Sequence, residues 1–243
     1  MTRAALGLAA LLGLGCASPG AQANLAALDR DPSQGGNRRV FAFNEGADAW
    51  VLAPVARGWT AITPETLRVH LGQFFANLAF PRLFVNSLLQ AEPYQAGVEL
   101  WRFVLNTTVG VGGFFDPASR IGLVARDEDF GQTLGVWGVG SGRYVVLPLL
   151  GPSTLRDTAA LPLDMALNGT TAIPFPGSAA AGTLRAVNTR ALLAKDLDAA
   201  REGALDFYAF ARNAYLQLRR AQISNESEAP AVQDDDLYEV PPE

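Results

Sequence analysis

The sequence predicts a mainly α-helical single domain that carries one short, glycine-rich β-hairpin. A chain of 243 residues is long enough for one large domain with its own core. Apolar residues recur at helical spacing along much of the chain, and prolines mark several helix starts. Charged residues make up only 18% of the sequence, against roughly 25% in typical soluble domains. Beyond the N-terminus no window approaches the ~20 apolar residues of a transmembrane helix, so we expect a protein that lies in or on a membrane without crossing it by simple helices.

The N-terminus has the features of an export signal, with Arg3 ahead of an apolar stretch. We assign residues 1–15 to a signal peptide and residues 16–36 to a lipidated tether. The chain's single cysteine, Cys16, ends the apolar stretch and resembles the acylated cysteine of bacterial lipoproteins. The alternative is a plain secretory signal that is cut after Ala23, which would remove Cys16.

Residues 37–222 form the predicted helical domain. Its first helical stretch is interrupted by Pro54, which forces a break or a restart. The sequence Thr63-Pro64-Glu65 predicts the next helix start, with Thr63 as the cap. Further helix starts are predicted at Pro81 and Pro93, and two more helices at about 183–193 and 205–222.

The helices near Pro81 are aromatic on more than one face. Such residues fill a core in most proteins, and the alternative is that some of these faces meet lipid. The candidates for a membrane-facing or partner-facing surface are Phe74, Phe75, Leu78, Phe84, Leu88 and Trp101.

The hairpin is predicted where glycines alternate with apolar residues. Residues 136–140 and 143–147 are its arms, Ser141-Gly142 is its turn, and Pro148 ends the pairing.

Tests for chemistry favour a protein that is not an enzyme and uses no cofactor. The glycines lack the G-x-G-x-x-G spacing, and no GK[ST] follows them. His70 is the only histidine, and no serine or cysteine is visibly paired with it. One histidine and one cysteine are too few for zinc, haem or iron–sulfur sites. Nucleic acid is also disfavoured, because the body of the chain is nearly neutral and has no basic stripe.

Residues 223–243 are predicted to form an acidic, disordered tail. This segment holds seven acidic residues and neither lysine nor arginine. Docking onto a basic partner is its alternative role.

Four ordered motifs resemble the MlaA/VacJ family of outer-membrane lipoproteins. They are "DPSQGGNRRVFAFNEGADAWVLAPVARGW", "FFANLAFPRLFVNSLLQ", "RFVLNTTVGVGGFFDPAS" and "EDFGQTLGVWGVGSGRYVVLPLLGPSTLRD", and similarity resumes in "RNAYLQLRRAQIS" and in the acidic tail. The chain departs from the family at the imperfect lipidation motif around Cys16 and at Gly36, where an aromatic residue is usual.

This resemblance implies a ring-like helical domain lying in the periplasmic leaflet of the outer membrane, anchored by a lipid on Cys16. It implies that misplaced phospholipids leave the outer leaflet through an amphipathic channel and pass to a periplasmic lipid carrier similar to MlaC, which maintains lipid asymmetry. It also implies association with a trimeric porin.

Within that scheme we expect the hairpin to line or gate the channel, with Ser141, Arg143 and Tyr144 as candidates for headgroup contact. The residues assigned to this role are Val136, Trp137, Gly138, Val139, Gly140, Ser141, Gly142, Arg143 and Tyr144.

Two other functions are compatible with the sequence. One is a soluble periplasmic hydrolase, processed after Ala23 and using His70. The other is a structural lipoprotein that stabilises porins without moving lipid.

Overall fold

The computed structural model describes residues 31–224, and the helices account for most of them. The helices are α1 (Gln34–Ala47), α2 (Ala53–Ile62), α3 (Glu65–Leu78), α4 (Phe80–Leu89), α5 (Pro93–Thr108), α6 (Pro117–Arg120), α7 (Phe130–Val136), α8 (Leu155–Ala166), α9 (Gly177–Leu192), α10 (Ala194–Gly203) and α11 (Phe207–Ser224). The two strands are β1 (Tyr144–Leu147) and β2 (Gly151–Thr154). The mainly helical class with one antiparallel hairpin is therefore confirmed. The signal peptide, Cys16, the Ala23 cleavage site and nearly all of the acidic tail lie outside the described residues.

The first helix begins at Gln34, so it includes the end of the predicted tether. A π-helical turn (Asp48–Leu52) joins α1 to α2, and Pro54 follows in the first turn of α2. Proline has no amide hydrogen and its ring crowds the preceding turn, which the wider π-turn accommodates. The predicted restart at Pro54 thus takes the form of a π-turn in an otherwise continuous helix.

Prolines also begin the next helices, as predicted. Pro64 precedes α3, Pro81 lies in the first turn of α4, and Pro93 is the first residue of α5. The predicted capping role of Thr63 is wrong, because its hydroxyl donates to the carbonyl of Trp59 and so ends α2 instead.

The predicted position of the hairpin is also wrong, because the segment predicted as its first arm is not a strand and the segment predicted as its second arm is the first strand. The segment expected as the first arm begins in α7, because the Asp129 carboxylate accepts a hydrogen bond from the Gln132 amide (2.8 Å) and caps that helix. Gly138, at φ +87°, then ends it. The second predicted arm forms β1, which pairs with β2 so that Tyr144 lies opposite Thr154.

Two asparagines of α1 hold the outer edge of β1. Asn37 donates to the carbonyl of Tyr144 and accepts from the amide of Val146, both at 3.0 Å. Asn44 donates to the carbonyl of Leu147 (2.9 Å) and accepts from the amide of Leu149 (2.8 Å). The seven-residue spacing places both amides on one helix face, two turns apart. The side chains of α1 therefore satisfy the strand edge as a third strand would.

The elements pack in a closed circuit. The hairpin contacts α1 through β1 and α11 through β2, and α11 contacts α7. The order continues from α7 to α4, from α4 and α5 to α3, then to α9 and α2, which leads back to α1. None of the helices in residues 31–224 has the length and hydropathy needed to cross a membrane.

Candidate functional site

A buried ion network fixes α7 against α8 and α11. Arg219 of α11 donates to both carboxylate oxygens of Asp129 (2.6 and 3.0 Å) and to Asp157 of α8 (3.2 Å). Asp157 also accepts from the hydroxyl of Tyr215 (2.5 Å) and from Arg156 (2.9 Å). Burial alone would raise the pKa of Asp157, but the charge of Arg219 and the Tyr215 hydroxyl hold it below its usual range. The base of α7 is thereby rigid.

Glycines let this network reach the backbone of α7. A Cβ on Gly131 would lie 2.6 Å from Oδ1 of Asp157, and a Cβ on Gly135 would lie 2.8 Å from the Arg156 guanidinium. These two glycines are one helical turn apart, so one face of α7 is bare backbone. Their role is close packing.

The segment after α7, residues 137–143, is named the glycine loop. The indole of Trp137 donates to the carbonyl of Leu89 at the end of α4 (2.9 Å). Arg156 donates to the carbonyls of Val139 and Ser141 from its side chain and its amide, both at 3.2 Å. Between these attachments, Gly138 and Gly140 are exposed, and a Cβ on either would meet open space. The loop is held at these points and near Leu155, and its surface is unobstructed at Gly138 and Gly140.

A buried polar seam joins α4 to the start of α7. Thr133 donates to the side-chain oxygen of Asn86 (2.7 Å), and Gln90 donates to the carboxylate of Glu128 (2.7 Å). Glu128 is 3% exposed, and burial raises the pKa of its carboxyl to about 7. The contact between α4 and the start of α7 therefore contains a carboxyl group that titrates near neutral pH.

The structure separates the residues predicted to form the hairpin site. Val136 ends α7, and the glycine loop follows it with most of its side chains exposed. Tyr144 is an exception, because it is only 3% exposed and packs with Tyr208 and Leu216 in the core. Its predicted place in the channel lining is wrong, since β1 turns this side chain under α11.

The candidates for a membrane-facing surface differ in their exposure. Leu88 and Trp101 are exposed, at 49% and 60%. Phe75 is 3% exposed, so its predicted outward position is wrong. The remaining three are half-buried: Phe74, Leu78 and Phe84.

Within residues 31–224, the contacts of His70 are with Gln73 and Phe115. Its Nδ1 lies 3.0 Å from the side-chain oxygen of Gln73, and its ring packs on Phe115 at 4.6 Å between centroids. Neither neighbour is a nucleophile. Within residues 31–224 no group of three or more acidic, histidine or cysteine residues could hold a metal ion.

Sequence reasoning missed a group of charged residues around Arg82. Arg82 donates to the carbonyl of Glu128 (2.7 Å) and to the carboxylate of Asp127 (2.5 Å). Asp164 of α8 and Arg185 of α9 lie within electrostatic range of Arg82. Arg82, Asp164 and Arg185 each interrupt an apolar helical segment, which is their only signal in the sequence, and Asp127 lies in the acidic run 127–129.

Polar and apolar side chains are distributed in a way that is unusual for a soluble domain. The largest fully buried side chains are all polar: Gln132, Asn86, Asn188, Thr133, Thr154 and Ser87. Large apolar side chains are exposed instead, among them Trp50 (85%), Phe175 (83%), Tyr94 (82%) and Ile62 (77%). A broad apolar exterior of this kind marks a surface that meets lipid or another protein.

Comparison with known proteins gives a consistent result. The family model described as MlaA lipoprotein matches residues 29–222. The chain is 38% identical, over 95% of both sequences, to the intermembrane phospholipid transport system lipoprotein MlaA of Escherichia coli K12. The protein of the same name from Haemophilus influenzae is 33% identical over 78% of this chain and 77% of that protein. A solved structure described as the structural basis for maintenance of bacterial outer membrane lipid asymmetry superposes with a TM-score of 0.71, at 35% identity, over 80% of this chain and 99% of that one. The chain therefore belongs to the MlaA lipoprotein family.

Proposed function

We propose that this protein removes misplaced phospholipids from the outer leaflet of the outer membrane and passes them through its own body to a periplasmic lipid carrier, which maintains lipid asymmetry. Relatives across 95% of the chain are named as phospholipid transport lipoproteins. The family is one of transport lipoproteins and not of enzymes. Lipid transfer between leaflets needs no covalent step.

The observation that carries the proposal is the reversed distribution of polar and apolar side chains around a closed circuit of helices. An apolar outer surface is stable against acyl chains, at roughly 25 cal/mol for each Å² kept from water. Arg82 of α4 pairs with Asp127, and Arg185 of α9 interacts electrostatically with both, so charged groups from separate helices act on one another. A phospholipid needs both environments, because its headgroup is polar and its tails are not. This arrangement supports a ring-like body lying in the periplasmic leaflet, with a polar path along its inner side.

The glycine loop is the candidate gate. It joins the rigid base of α7 to β1, and few hydrogen bonds attach it to α4 and α8. Gly138 and Gly140 leave space on its surface. A change in the loop would alter the contact between Arg156 and Val139, while the bonds of Arg219 to Asp129 and Asp157 hold the base of α7 in place.

The proposed partners follow from the same scheme. Exposed apolar side chains such as Leu88 and Trp101 are available to acyl chains or to a trimeric porin. Acylation of Cys16 would anchor the chain stably when more than one acyl chain is attached. Cys16→Ala should release the protein from the membrane fraction if the lipid is its main anchor, and unchanged fractionation would favour cleavage after Ala23 or anchoring by the body.

The test of the proposal is the amount of phospholipid exposed on the outer leaflet in a deletion strain. We expect an increase that this protein restores to normal. No increase would favour a structural role beside porins instead of transport. His70→Ala should restore asymmetry as well as the unmodified protein, whereas loss of function in this variant would support the hydrolase.

A further inference from the structure

A cavity lies between α3, α4 and α5 and is partly open to the surface. Among the residues that line it, Ala76 and Ala125 are exposed, whereas Leu83, Glu99 and Asn106 are buried. Its volume is about 80 Å³, which corresponds to two or three water molecules at ~30 Å³ each. Small side chains therefore border the opening, and a carboxyl group lies at the base. We name it the Glu99 cavity.

Glu99 presents one carboxylate oxygen that the protein does not satisfy. Its Oε1 accepts hydrogen bonds from the side-chain amide of Gln95 (2.7 Å) and from the backbone amide of Arg126 (3.0 Å). Its Oε2 accepts none from residues 31–224, and it is not among the atoms that protein encloses completely. The residue as a whole is only 3% exposed, so the side on which Oε2 is free is the cavity. Burial raises the pKa of the Glu99 carboxyl, as expected for a poorly solvated charge.

The other two charged residues of the lining neutralise each other. Arg102 donates to the carboxylate of Asp116 (2.8 Å) and to the hydroxyl of Ser119 (3.0 Å). Burial would raise the pKa of Asp116, but hydrogen bonds from Ser119, Arg102 and Asn106 hold it at about 2. The guanidinium of Arg102 is thus committed to Asp116. Glu99 remains as the one charge of the lining without a counterion.

The rest of the wall is mostly apolar. The rings of Phe80 and Phe103 stack with their centroids 4.3 Å apart, and Ala76 and Leu83 lie in the same lining. Asn77 can supply a second acceptor, because its Nδ2 already donates to Thr107 (2.9 Å) and its Oδ1 is free. A metal ion prefers oxygen ligands on all sides, which this wall does not provide. An ammonium group on a short carbon stem suits both parts of the wall, since its N–H groups donate to oxygen and its methylenes contact hydrocarbon.

We propose that the Glu99 cavity binds a small primary ammonium group, with Oε2 of Glu99 as its counterion. An ethylammonium group has three non-hydrogen atoms, so it takes the place of two or three water molecules at ~30 Å³ each. The amine belongs to an ethanolamine headgroup, an assignment that rests on the proposed function, although a free amine has the same chemistry. A quaternary ammonium is larger and has no N–H to donate. The cavity would therefore distinguish between headgroups that carry the same charges.

The test compares two lipids that differ only in the methyl groups on nitrogen. The full-length protein, in non-ionic detergent micelles and an amine-free buffer, is titrated with short-chain phosphatidylethanolamine and, in parallel, with short-chain phosphatidylcholine. The unmodified protein should bind phosphatidylethanolamine more tightly. Glu99→Gln should weaken that binding by about tenfold, since a hydrogen bond to a charged group is worth roughly that factor. Binding of phosphatidylcholine should not change.

Three features of the variants make the comparison decisive. Glutamine at position 99 keeps an oxygen that can accept from Gln95 and from the Arg126 amide, so the fold should be preserved. Ala76→Phe places a ring over the opening without altering Glu99, so it should also weaken binding of phosphatidylethanolamine, and it replaces Glu99→Gln if that variant does not fold. Glu202→Gln removes an exposed glutamate of α10 and should leave both titrations unchanged.

Each outcome has a distinct meaning. If Glu99→Gln binds phosphatidylethanolamine as tightly as the unmodified protein does, the ammonium site is overturned and the proposed function stands. If the unmodified protein binds neither lipid, the proposed function fails, and binding of free ethanolamine that depends on Glu99 then decides the site by itself. If free ethanolamine binds in this way and phosphatidylethanolamine does not displace it, the cavity takes a free amine and the assignment to a headgroup is overturned.

Discussion

At the scale of single residues, the interior contains carboxylates in opposite electrostatic situations. Asp157 is paired with Arg219, and its pKa lies below the usual range. Glu128 is buried with an amide as its hydrogen-bond donor, and desolvation dominates its titration. The charge of Arg126 lowers its pKa but does not compensate for burial. Glu128 is therefore an interior group whose charge changes within the range from mildly acidic to neutral pH.

The stability of the protein should depend on the titration of Glu128. Its pKa rises from 4.5 to about 7 on folding, so between these values the folded chain holds a proton that the unfolded chain has lost. The free energy of unfolding should then fall as pH rises through this range, by up to about 3 kcal/mol. Urea denaturation at pH 5 and pH 8 measures the difference.

Glu128→Gln should reduce that difference, and it should unfold at higher urea than the unmodified protein at pH 8. The buried carboxyl of Glu99, whose pKa burial also raises, should account for part of the pH dependence that remains. Glu202→Gln changes an exposed glutamate of α10 and serves as the matched control. An equal pH dependence in Glu128→Gln and in the unmodified protein would contradict the assignment.

At the scale of elements, substitutions in the glycine loop can distinguish the effect of its conformational freedom from the effect of its packing. Gly138 has a φ of +87°, so any side chain there strains the backbone whatever the function of the loop. Gly140 has no positive φ, and a Cβ on it would meet nothing within 4 Å. Gly140 is therefore the position at which a larger side chain tests gating alone.

Gly140→Leu should reduce removal of outer-leaflet phospholipid while the amount of protein, its membrane location and its melting temperature stay unchanged. Gly203→Leu is the matched control, because Gly203 is also exposed and unobstructed but lies at the end of α10. Normal asymmetry in the Gly140 variant would refute the gate. Loss of the protein itself would show that the loop only closes the fold.

The edge of β1 should depend on the asparagines of α1. Asn37→Ala leaves the amide of Val146 and the carbonyl of Tyr144 without a partner, at a cost of about 1–3 kcal/mol. Hydrogen exchange at the Val146 amide should become faster by at least tenfold. Asn213→Ala, at an exposed position of α11, should leave this rate unchanged. Unchanged exchange in Asn37→Ala would show that β2 alone holds the strand.

Helix starts at prolines were predictable from the sequence, as was one strand of the hairpin, but the strand that pairs with it was not. Proline at a helix start is a local signal, as at Pro81 and Pro93. The edge of β1 depends on Asn37, which is more than one hundred positions away in sequence. The ion network is similar, since Arg219 and Asp129 are 90 positions apart. Pairing over such distances leaves no local pattern, so neither the strand register nor the charged inner residues could be inferred.

At the scale of the whole molecule, the exposed apolar side chains and the buried polar side chains have a common explanation. In water, the exposed Trp50 and Trp101 would be unfavourable, whereas tryptophan is favoured at the boundary between lipid and water. Polar side chains inside the circuit can be tolerated because most of them are hydrogen-bonded to one another, as Asn86 and Thr133 are. We therefore expect surrounding lipid to add to the stability that the internal polar contacts and the buried apolar core provide.

The surrounding lipid should therefore be detectable at particular tryptophans. Variants that keep one tryptophan each and replace the others by phenylalanine can be placed in bilayers that contain brominated acyl chains. Fluorescence of Trp101 and Trp50 should be strongly quenched by bromine, because both are more than half exposed. Trp59 should be quenched less, because it is half-buried and its indole donates to Asn188 at 3.1 Å. Aqueous iodide should quench these tryptophans in the reverse order, with Trp59 quenched more than Trp101 and Trp50. Strong quenching of Trp101 by iodide, with none by bromolipid, would place that face of α5 in water and would contradict burial of the body in a leaflet.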